Sequence, residues 1–230
     1  MSTTPGDTLI DVQQASLHFD RGKIRALNGI DLSVREGEFV AVVGPSGCGK
    51  TSLLNLIGTL DAPTSGEIYF RSRPYSTIRD SSDFRRKHFG FVFQSFHLIP
   101  TLTALDNVLV ATVGCSGSAH AYEMRARDLL AQLGLEDRIS HLPSDMSGGE
   151  RQRAAIARAL INEPDVLLAD EPTGSLDSAS AARLLDVIAQ IRKWRNLTVM
   201  LVTHEPQISA WADRIVRVRD GRVDTTTRTP

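Results

Sequence analysis

Cysteine, net charge and long apolar runs are all scarce in this chain of 230 residues. Cys48 and Cys115 are too few and too far apart for a disulfide framework or a zinc site, which favours a reducing compartment. The formal net charge of -1 gives no electrostatic reason to expect nucleic acid, whose binders usually carry a basic patch. Apolar runs stay short of the roughly 20 residues that cross a bilayer, and the first residues lack the layout of a signal peptide. We therefore expect a cytoplasmic chain with no nucleic-acid partner.

An α/β pattern runs along most of the chain. Short apolar runs rich in β-branched and aromatic residues alternate with helical patterns. Phe39–Val43 and Val166–Ala169 are apolar without interruption, which predicts central strands of a mostly parallel sheet that is covered on both faces. The other predicted strands are Leu9–Phe19, Gly66–Phe70, Phe89–Phe93, Thr198–Thr203 and Ile215–Val218.

The stretch from about Ser95 to Ser144 differs from the rest, because two helical patterns are separated by small residues. The patterns are Leu102–Val113 and Ala121–Leu133, with Gly-Cys-Ser-Gly-Ser between them. We interpret the region of approximately 95–160 as a helical subdomain inserted into one α/β domain that spans 1–230.

The C-terminal part predicts one long helix and a hairpin. Ser178–Arg195 has apolar residues at spacings of three or four, which marks a helix with one buried face, and Asp220-Gly221 marks a turn. Thr225 to Pro230 are expected to form a loose tail. The predicted buried face consists of Leu184, Ile188, Ile191 and Trp194.

A phosphate-binding loop is the first motif that carries chemistry. The residues GPSGCGKT match G-x-x-x-x-G-K-[ST] between an apolar strand and the helical run Ser52–Leu60, and their glycines do not fit the dinucleotide pattern. Backbone N–H groups of such a loop converge on phosphate oxygens at a helix N-terminus. A glycine-rich turn without a ligand is the alternative. The predicted nucleotide-binding residues are Gly44, Pro45, Ser46, Gly47, Cys48, Gly49, Lys50, Thr51 and Ser52, with Lys50 on the β- and γ-phosphates and Thr51 on Mg²⁺.

Two adjacent carboxylates end the apolar run Val166–Ala169. Taken alone, Asp170 and Glu171 could be solvated acids at the end of a strand. Together with a phosphate loop they fit phosphoryl transfer, which needs a carboxylate near Mg²⁺ and a group that orients the attacking water. We therefore predict that Asp170 holds Mg²⁺ and that Glu171 is the general base.

The third motif, Ser-Gly-Gly-Glu at 147–150 followed by RQRAAIARAL, resembles the signature of the ABC ATPases. Alone, it could be a serine N-cap with flexible glycines. The other marks of the family surround it in the family's order: Gln94 in GFVFQSFHL, Ser-Leu-Asp at 175–177 and His204 in LVTHEP. The resemblance covers Leu9 to Val223. Within the family, the sequence around the motifs is most similar to the ATPase subunits of lipoprotein-releasing and macrolide-exporting systems. The implied fold is a phosphate-loop NTPase core with a mostly parallel sheet, an N-terminal antiparallel β region and the helical insertion.

The resemblance implies an enzyme that binds and hydrolyses ATP with Mg²⁺ and forms a head-to-tail homodimer. Each ATP would lie between the phosphate loop of one subunit and Ser147, Gly148 and Gly149 of the other, because a helix N-terminus with no phosphate of its own is an anion site. The implied membrane partner is a separate integral permease, so the chain would be peripheral on the inner face of the cell membrane. Export or lipoprotein release is the implied process.

Individual residues receive roles from the same resemblance. Asp177 would lie at the dimer seam and His204 would contact the γ-phosphate. Gln94 would link Mg²⁺ and the lytic water to the helical subdomain. Phe19 would stack on adenine, with an ordinary core aromatic as the alternative. Glu150 departs from the glutamine more usual in the family and would add negative charge near the interface.

Two other classes of function remain open at this point. A soluble ABC ATPase of DNA repair or translation is disfavoured, since too few residues separate Lys50 from Ser147 for a long coiled coil and the chain holds one ATPase unit. A regulator of the cell-division type uses the same motor and is not separable by sequence. For the membrane partner we predict a groove formed in part by Ser95–Asn107, whose apolar residues could instead pack internally. Those apolar residues are Phe96, Leu98, Ile99, Leu102 and Leu105.

Overall fold

The computed structural model describes residues 8–20, 23–205, 208 and 210–229. Its strands are β1 (Thr8–Phe19), β2 (Ile24–Arg35), β3 (Phe39–Val43), β4 (Ser65–Phe70), β5 (Arg73–Pro74), β6 (Phe89–Phe93), β7 (Val166–Asp170), β8 (Thr198–Thr203), β9 (Arg214–Arg219) and β10 (Arg222–Arg228). Its α-helices are α1 (Lys50–Ile57), α2 (Ser81–His88), α3 (Ala104–Leu109), α4 (Ala119–Gln132), α5 (Gly148–Leu160) and α6 (Ser178–Arg195).

Six strands form the central sheet, in the order β10-β9-β3-β8-β7-β6. All neighbouring pairs from β9 to β6 are parallel, and β10 is antiparallel to β9 at the edge. The predicted mostly parallel sheet is therefore confirmed, with β3 and β7 in its interior.

The side chains of β3 show how the sheet is covered on both faces. Phe39 and Ala41 lie in the apolar cluster that contains α5 and α6. Val40 and Val42 point the other way, into the cluster that contains α1 and the first strands. These four residues are buried and Val43 is partly buried, so both faces of the strand are covered and the run is apolar throughout.

A second sheet has the order β2-β1-β4-β5 and is antiparallel at every pairing. Its inward residues share one apolar cluster with α1, which places the sheet against the phosphate-loop side of the core. The residues of β2 carried no strand prediction. Only every second or third residue of β2 is buried, and Gly29 and Asp31 interrupt its apolar pattern.

Helices α3, α4 and α5 pack together in the same cluster as one face of the central sheet. The start of α3 is fixed by Thr103, whose side chain accepts a hydrogen bond from the N–H of Asp106. Asn107 is fully buried, and its amide pairs with the backbone of residues 99, 102 and 103. This asparagine therefore sets the shape of the loop that follows β6.

Two expectations near the C-terminal end are wrong. Trp194 is 71% exposed, so the buried face of α6 ends at Ile191. Trp194 follows two successive three-residue steps, from Ile188 to Ile191 to Trp194, which rotate it away from the buried face because a helical turn takes about 3.6 residues. Residues 225–228 belong to β10 rather than to a loose tail, because the edge of β9 offers them a pairing partner and threonine favours strands.

Candidate functional site

The phosphate loop connects β3 to α1 as the sequence predicts. Gly47 and Gly49 have φ values of 76° and 105°, in the left-handed region that favours glycine. A Cβ at position 49 would overlap the carbonyl oxygen of Ala26. Lys50 is nearly buried, and its Nζ donates hydrogen bonds of 2.9 Å to the carbonyl oxygens of Gly44 and Pro45. The ammonium group thus lies inside the curve of the loop, where an anion would be held.

The turn between β9 and β10 supports this loop from behind, which the sequence analysis missed. The N–H of Gly221 donates to the carbonyl oxygen of Cys48 at 3.0 Å, and the N–H of Asn28 donates to the carbonyl oxygen of Gly221 at 2.8 Å. The Cys48 side chain is 6% exposed. Only the Asp-Gly turn was visible as a signal, and it gives no indication that the hairpin contacts residue 48.

Thr51 and Asp170 provide paired oxygens at the start of α1 and the end of β7. The Thr51 hydroxyl donates to Asp170 Oδ2 at 2.9 Å. Burial raises the pKa of Asp170 above its ordinary value, and the hydrogen bond from Thr51 acts in the opposite direction. No group of three or more His, Cys, Asp or Glu side chains able to hold a metal occurs among the described residues. One hydroxyl and one carboxylate still fit Mg²⁺, which takes few protein ligands when phosphates and water complete its shell.

Glu171 has a left-handed backbone with a φ of 46°, and its N–H donates to the carbonyl oxygen of Val202 on β8. This conformation is costly for a residue other than glycine and turns the chain sharply at the end of β7. The Nδ1 atom of His204 lies 3.2 Å from Glu171 Oε1. The two residues predicted to act on the γ-phosphate and the water are therefore in direct contact.

Gln94 lies beside the turn that follows Glu171. A Cβ built on Gly174 would be 2.9 Å from Gln94 Nε2, so the Gln94 side chain lies directly against this turn. Gln94 itself is exposed and follows directly after β6. The strand end brings it next to the two carboxylates of β7, since β6 and β7 are parallel neighbours.

The signature motif forms the N-terminus of α5. Ser147 is the N-cap, and Ser147 and Glu150 form a capping box in which each side chain accepts from the backbone N–H of the other. Arg138 Nε donates to Glu150 Oε1 at 2.9 Å. The backbone N–H of Ser147 and the Arg138 guanidinium lower the pKa of Glu150 to about 2. The negative charge of Glu150, which the sequence analysis expects near the dimer interface, is therefore paired locally with the helix cap and with Arg138.

Gly148 and Asp177 lie on neighbouring segments. A Cβ on Gly148 would be 3.7 Å from the side chain of Leu176, one residue before Asp177. Asp177 is the N-cap of α6 and accepts from the N–H and the hydroxyl of Ser180. These hydrogen bonds, the one from the hydroxyl above all, hold the pKa of Asp177 below its ordinary value. The signature and the N-cap of α6 thus lie next to each other.

Phe19 is the last residue of β1 and is 42% exposed. The alternative of an ordinary core aromatic is wrong, because the ring is not part of either buried cluster. An exposed ring at this strand end is available for stacking.

A phosphate loop after a central parallel strand, with two carboxylates ending a nearby strand, defines a phosphate-loop NTPase. The family model for ABC transporters matches residues 27–174. The chain is 44% identical over 224 residues to "Lipoprotein-releasing system ATP-binding protein LolD 2" of Chlorobium chlorochromatii, covering 93% of each chain. It is 42% identical over 221 residues to "Macrolide export ATP-binding/permease protein MacB" of Vibrio parahaemolyticus, covering 94% of this chain and 34% of that protein.

Among solved structures, the dimeric post-hydrolysis state of the ATP-binding cassette MJ0796 with ADP and Pi is 36% identical, with a TM-score of 0.88, covering 96% of this chain and 99% of that one. The chain belongs to the ABC transporter family, as its ATP-binding and ATP-hydrolysing subunit. The predicted family, fold and enzyme class are confirmed. Within the described residues, no helix is long and apolar enough to span a bilayer.

Proposed function

We propose that this subunit drives a separate membrane permease for export or lipoprotein release, by closing as a homodimer on two molecules of Mg-ATP. The observation that carries the proposal is the contact of Glu171 with His204 beside the Thr51 and Asp170 pair. Such a site can hold a nucleotide and deprotonate water. The relatives with matching ATP-binding regions, named for lipoprotein release and macrolide export, support the proposed process.

The phosphate loop and the carboxyl end of β7 together fit Mg-ATP. Lys50 and the loop amides would bind the phosphates, and Thr51 and Asp170 would hold Mg²⁺. When bound, Mg²⁺ neutralises charge on the phosphate oxygens. Glu171 would take the proton of the attacking water, and His204 would keep that carboxylate oriented.

The signature supplies the second half of the proposed site. In the capping box, Ser147 Oγ accepts from the backbone, so its own hydroxyl hydrogen remains available for a phosphate. The amides of Gly148 and Gly149 begin α5 and point out of its N-terminus. The solved relative with ADP and Pi is dimeric, which supports a second subunit that would bring the nucleotide to this anion site.

A groove of about 550 Å³ between β6, α2 and α5 is the proposed docking site for a short cytoplasmic helix of the permease. Its lining combines the rings of Phe89, Phe91 and Phe93 with three arginines. A helix with an apolar face and an acidic end fits this mixture of apolar and cationic groups. The three arginines are Arg85, Arg86 and Arg158.

The segment Ser95–Asn107 takes a smaller part in the groove than we predicted. His97 lines the groove, and the carbonyl oxygens of Phe96 and His97 accept from Arg158. Leu98 and Leu105, however, pack against the core cluster of the helices. A charge at position 98 would test packing rather than docking, so the experiment uses an arginine of the groove.

Reversal of charge at Arg86 tests the docking site. Arg86→Glu should leave ATP hydrolysis by the isolated subunit within about twofold but abolish its stimulation by the copurified permease, since a rim charge mainly controls encounter with a partner. Arg127→Glu is the matched control, because Arg127 also pairs with a carboxylate one helical turn away, on α4 outside the groove. Equal stimulation of both variants would exclude this groove as the site.

A further inference from the structure

The turn that follows β8 contacts the turn that follows β7 at two points. One is the contact between His204 and Glu171 described above. The other is a hydrogen bond of 3.1 Å from the Thr173 hydroxyl to Glu205 Oε1. His204 and Glu205 of one turn thus contact Glu171 and Thr173 of the other. Neither Thr173 nor Glu205 has a role in the mechanism so far.

Burial makes the second contact more than a surface interaction. Thr173 is 1% exposed, and a hydroxyl buried to this degree needs a partner. Its acceptor is a carboxylate, and a charge-assisted hydrogen bond is about twice as strong as a neutral one. Glu205 is fixed in turn, because its backbone N–H donates to Thr203 Oγ1 at 3.0 Å and Thr203 is also 1% exposed.

Thr173 lies between Glu171, the proposed general base, and Asp177, the N-cap of α6. The N–H of Gly174 donates to the carbonyl oxygen of Glu171 at 3.1 Å, and the N–H of Leu176 donates to the carbonyl oxygen of Thr173 at 2.9 Å. A shift of Thr173 would therefore move the carboxylate of Glu171 on one side and the cap residue Asp177 on the other. Glu171 already holds a costly left-handed backbone, which persists only where neighbouring contacts enforce it.

We propose that Glu205 is a positioning residue for ATP hydrolysis, which acts through its hydrogen bond to Thr173 to keep Glu171 and His204 in contact. Glu205 lines a groove together with Gly44 and Pro45 of the phosphate loop. Loss of the bond frees the turn after β7 and lets the Glu171 carboxylate leave its position. The inference rests on the ATPase activity of the family and is independent of permease docking and export.

A double-mutant cycle on the full chain tests this role. Thr173→Val and Glu205→Ala should each lower kcat for ATP about tenfold at nearly constant KM, because positioning affects the chemical step and not ground-state binding. The double variant should be no slower than the slower single variant, since both changes remove the same bond. Glu205→Gln and Thr173→Ser should recover most of the rate, because an amide oxygen still accepts and a serine hydroxyl still donates.

Ser76→Ala is the control, since Ser76 donates to Glu67 in the same hydroxyl-to-carboxylate manner on the antiparallel sheet, and it should hydrolyse ATP normally. The proposal would be overturned if the double variant showed the product of the two single losses in kcat. It would also be overturned if Glu205→Gln were as slow as Glu205→Ala, or if both single variants had a normal kcat. If Thr173→Val does not fold, thermal melting will show it. The comparison of Glu205→Ala with Glu205→Gln then decides, and equal rates overturn the proposal.

Discussion

The phosphate-loop half and the signature half of this molecule are built in opposite ways. In the first, Lys50 and Thr51 of α1 meet the loop backbone and Asp170 at the end of β7, and Glu171 in the following turn contacts His204. In the second, Ser147 caps α5 and forms a capping box with Glu150 in the first turn of that helix. The first half gathers several groups suited to catalysis, and the second offers backbone N–H groups at a helix N-terminus. We therefore expect that single substitutions affect hydrolysis and dimer closure separately.

The largest effect should come from Glu171→Gln, which breaks the chemistry of the first half alone. We expect a loss of turnover of about 100-fold or more with ATP binding retained, because an amide keeps the shape but cannot take a proton. The phosphate-loop half of one subunit and the signature half of its partner should then stay closed around ATP. Phosphate release measures the first effect, and size-exclusion chromatography in Mg-ATP should show a dimer. Unchanged hydrolysis would remove Glu171 from the role of base.

The next effect contrasts Lys50 with Ser147. Lys50→Ala should weaken nucleotide binding to the monomer by about 10- to 100-fold, since it removes a charge-assisted contact with phosphate. Ser147→Ala should leave that affinity unchanged and reduce turnover and dimer formation instead. Binding of a fluorescent ATP analogue and steady-state hydrolysis would be measured for both. Equal loss of affinity in the two variants would contradict the separation of the halves.

The smallest effect concerns Glu150 and acid. Its pKa is lowered from 4.5 to about 2, so the stability it contributes is present above pH 4.5 and is lost as the pH falls toward 2. Glu150→Gln keeps a capping box without the charge and should cost less than about 1 kcal/mol at neutral pH. Thermal unfolding between pH 7 and the acid range measures both proteins. The wild type should lose its advantage over the variant in acid, and a constant difference would contradict this assignment.

The sequence predicted the parts of the fold whose physical cause is local. The continuous apolar runs of β3 and β7 follow from burial on both faces, and the glycines of the phosphate loop follow from its backbone geometry. Trp194 shows the limit of periodicity, because an apolar residue at a spacing of three can still lie off the buried face of a helix. Asn107 shows another limit, since a polar residue reads as exposed until its backbone partners are known.

The candidate site divides in the same manner. The motifs predicted that Thr51 and Asp170 both hold Mg²⁺, and the resemblance placed His204 at the γ-phosphate. The structure brings Thr51 into contact with Asp170 and His204 into contact with Glu171. The bond between Thr173 and Glu205 joins residues that no motif pairs. It arises from the register of β7 and β8, which only the folded sheet defines.

The support of the phosphate loop by Gly221 limits how this protein can be engineered. The N–H of Gly221 donates to the carbonyl oxygen of Cys48, so the turn between β9 and β10 supports the phosphate loop directly. A truncated variant or a reporter fused within the hairpin would change ATP affinity even though the insertion point is far from the motifs along the chain. The surface loops that flank α4 do not take part in this contact and are better places for labels.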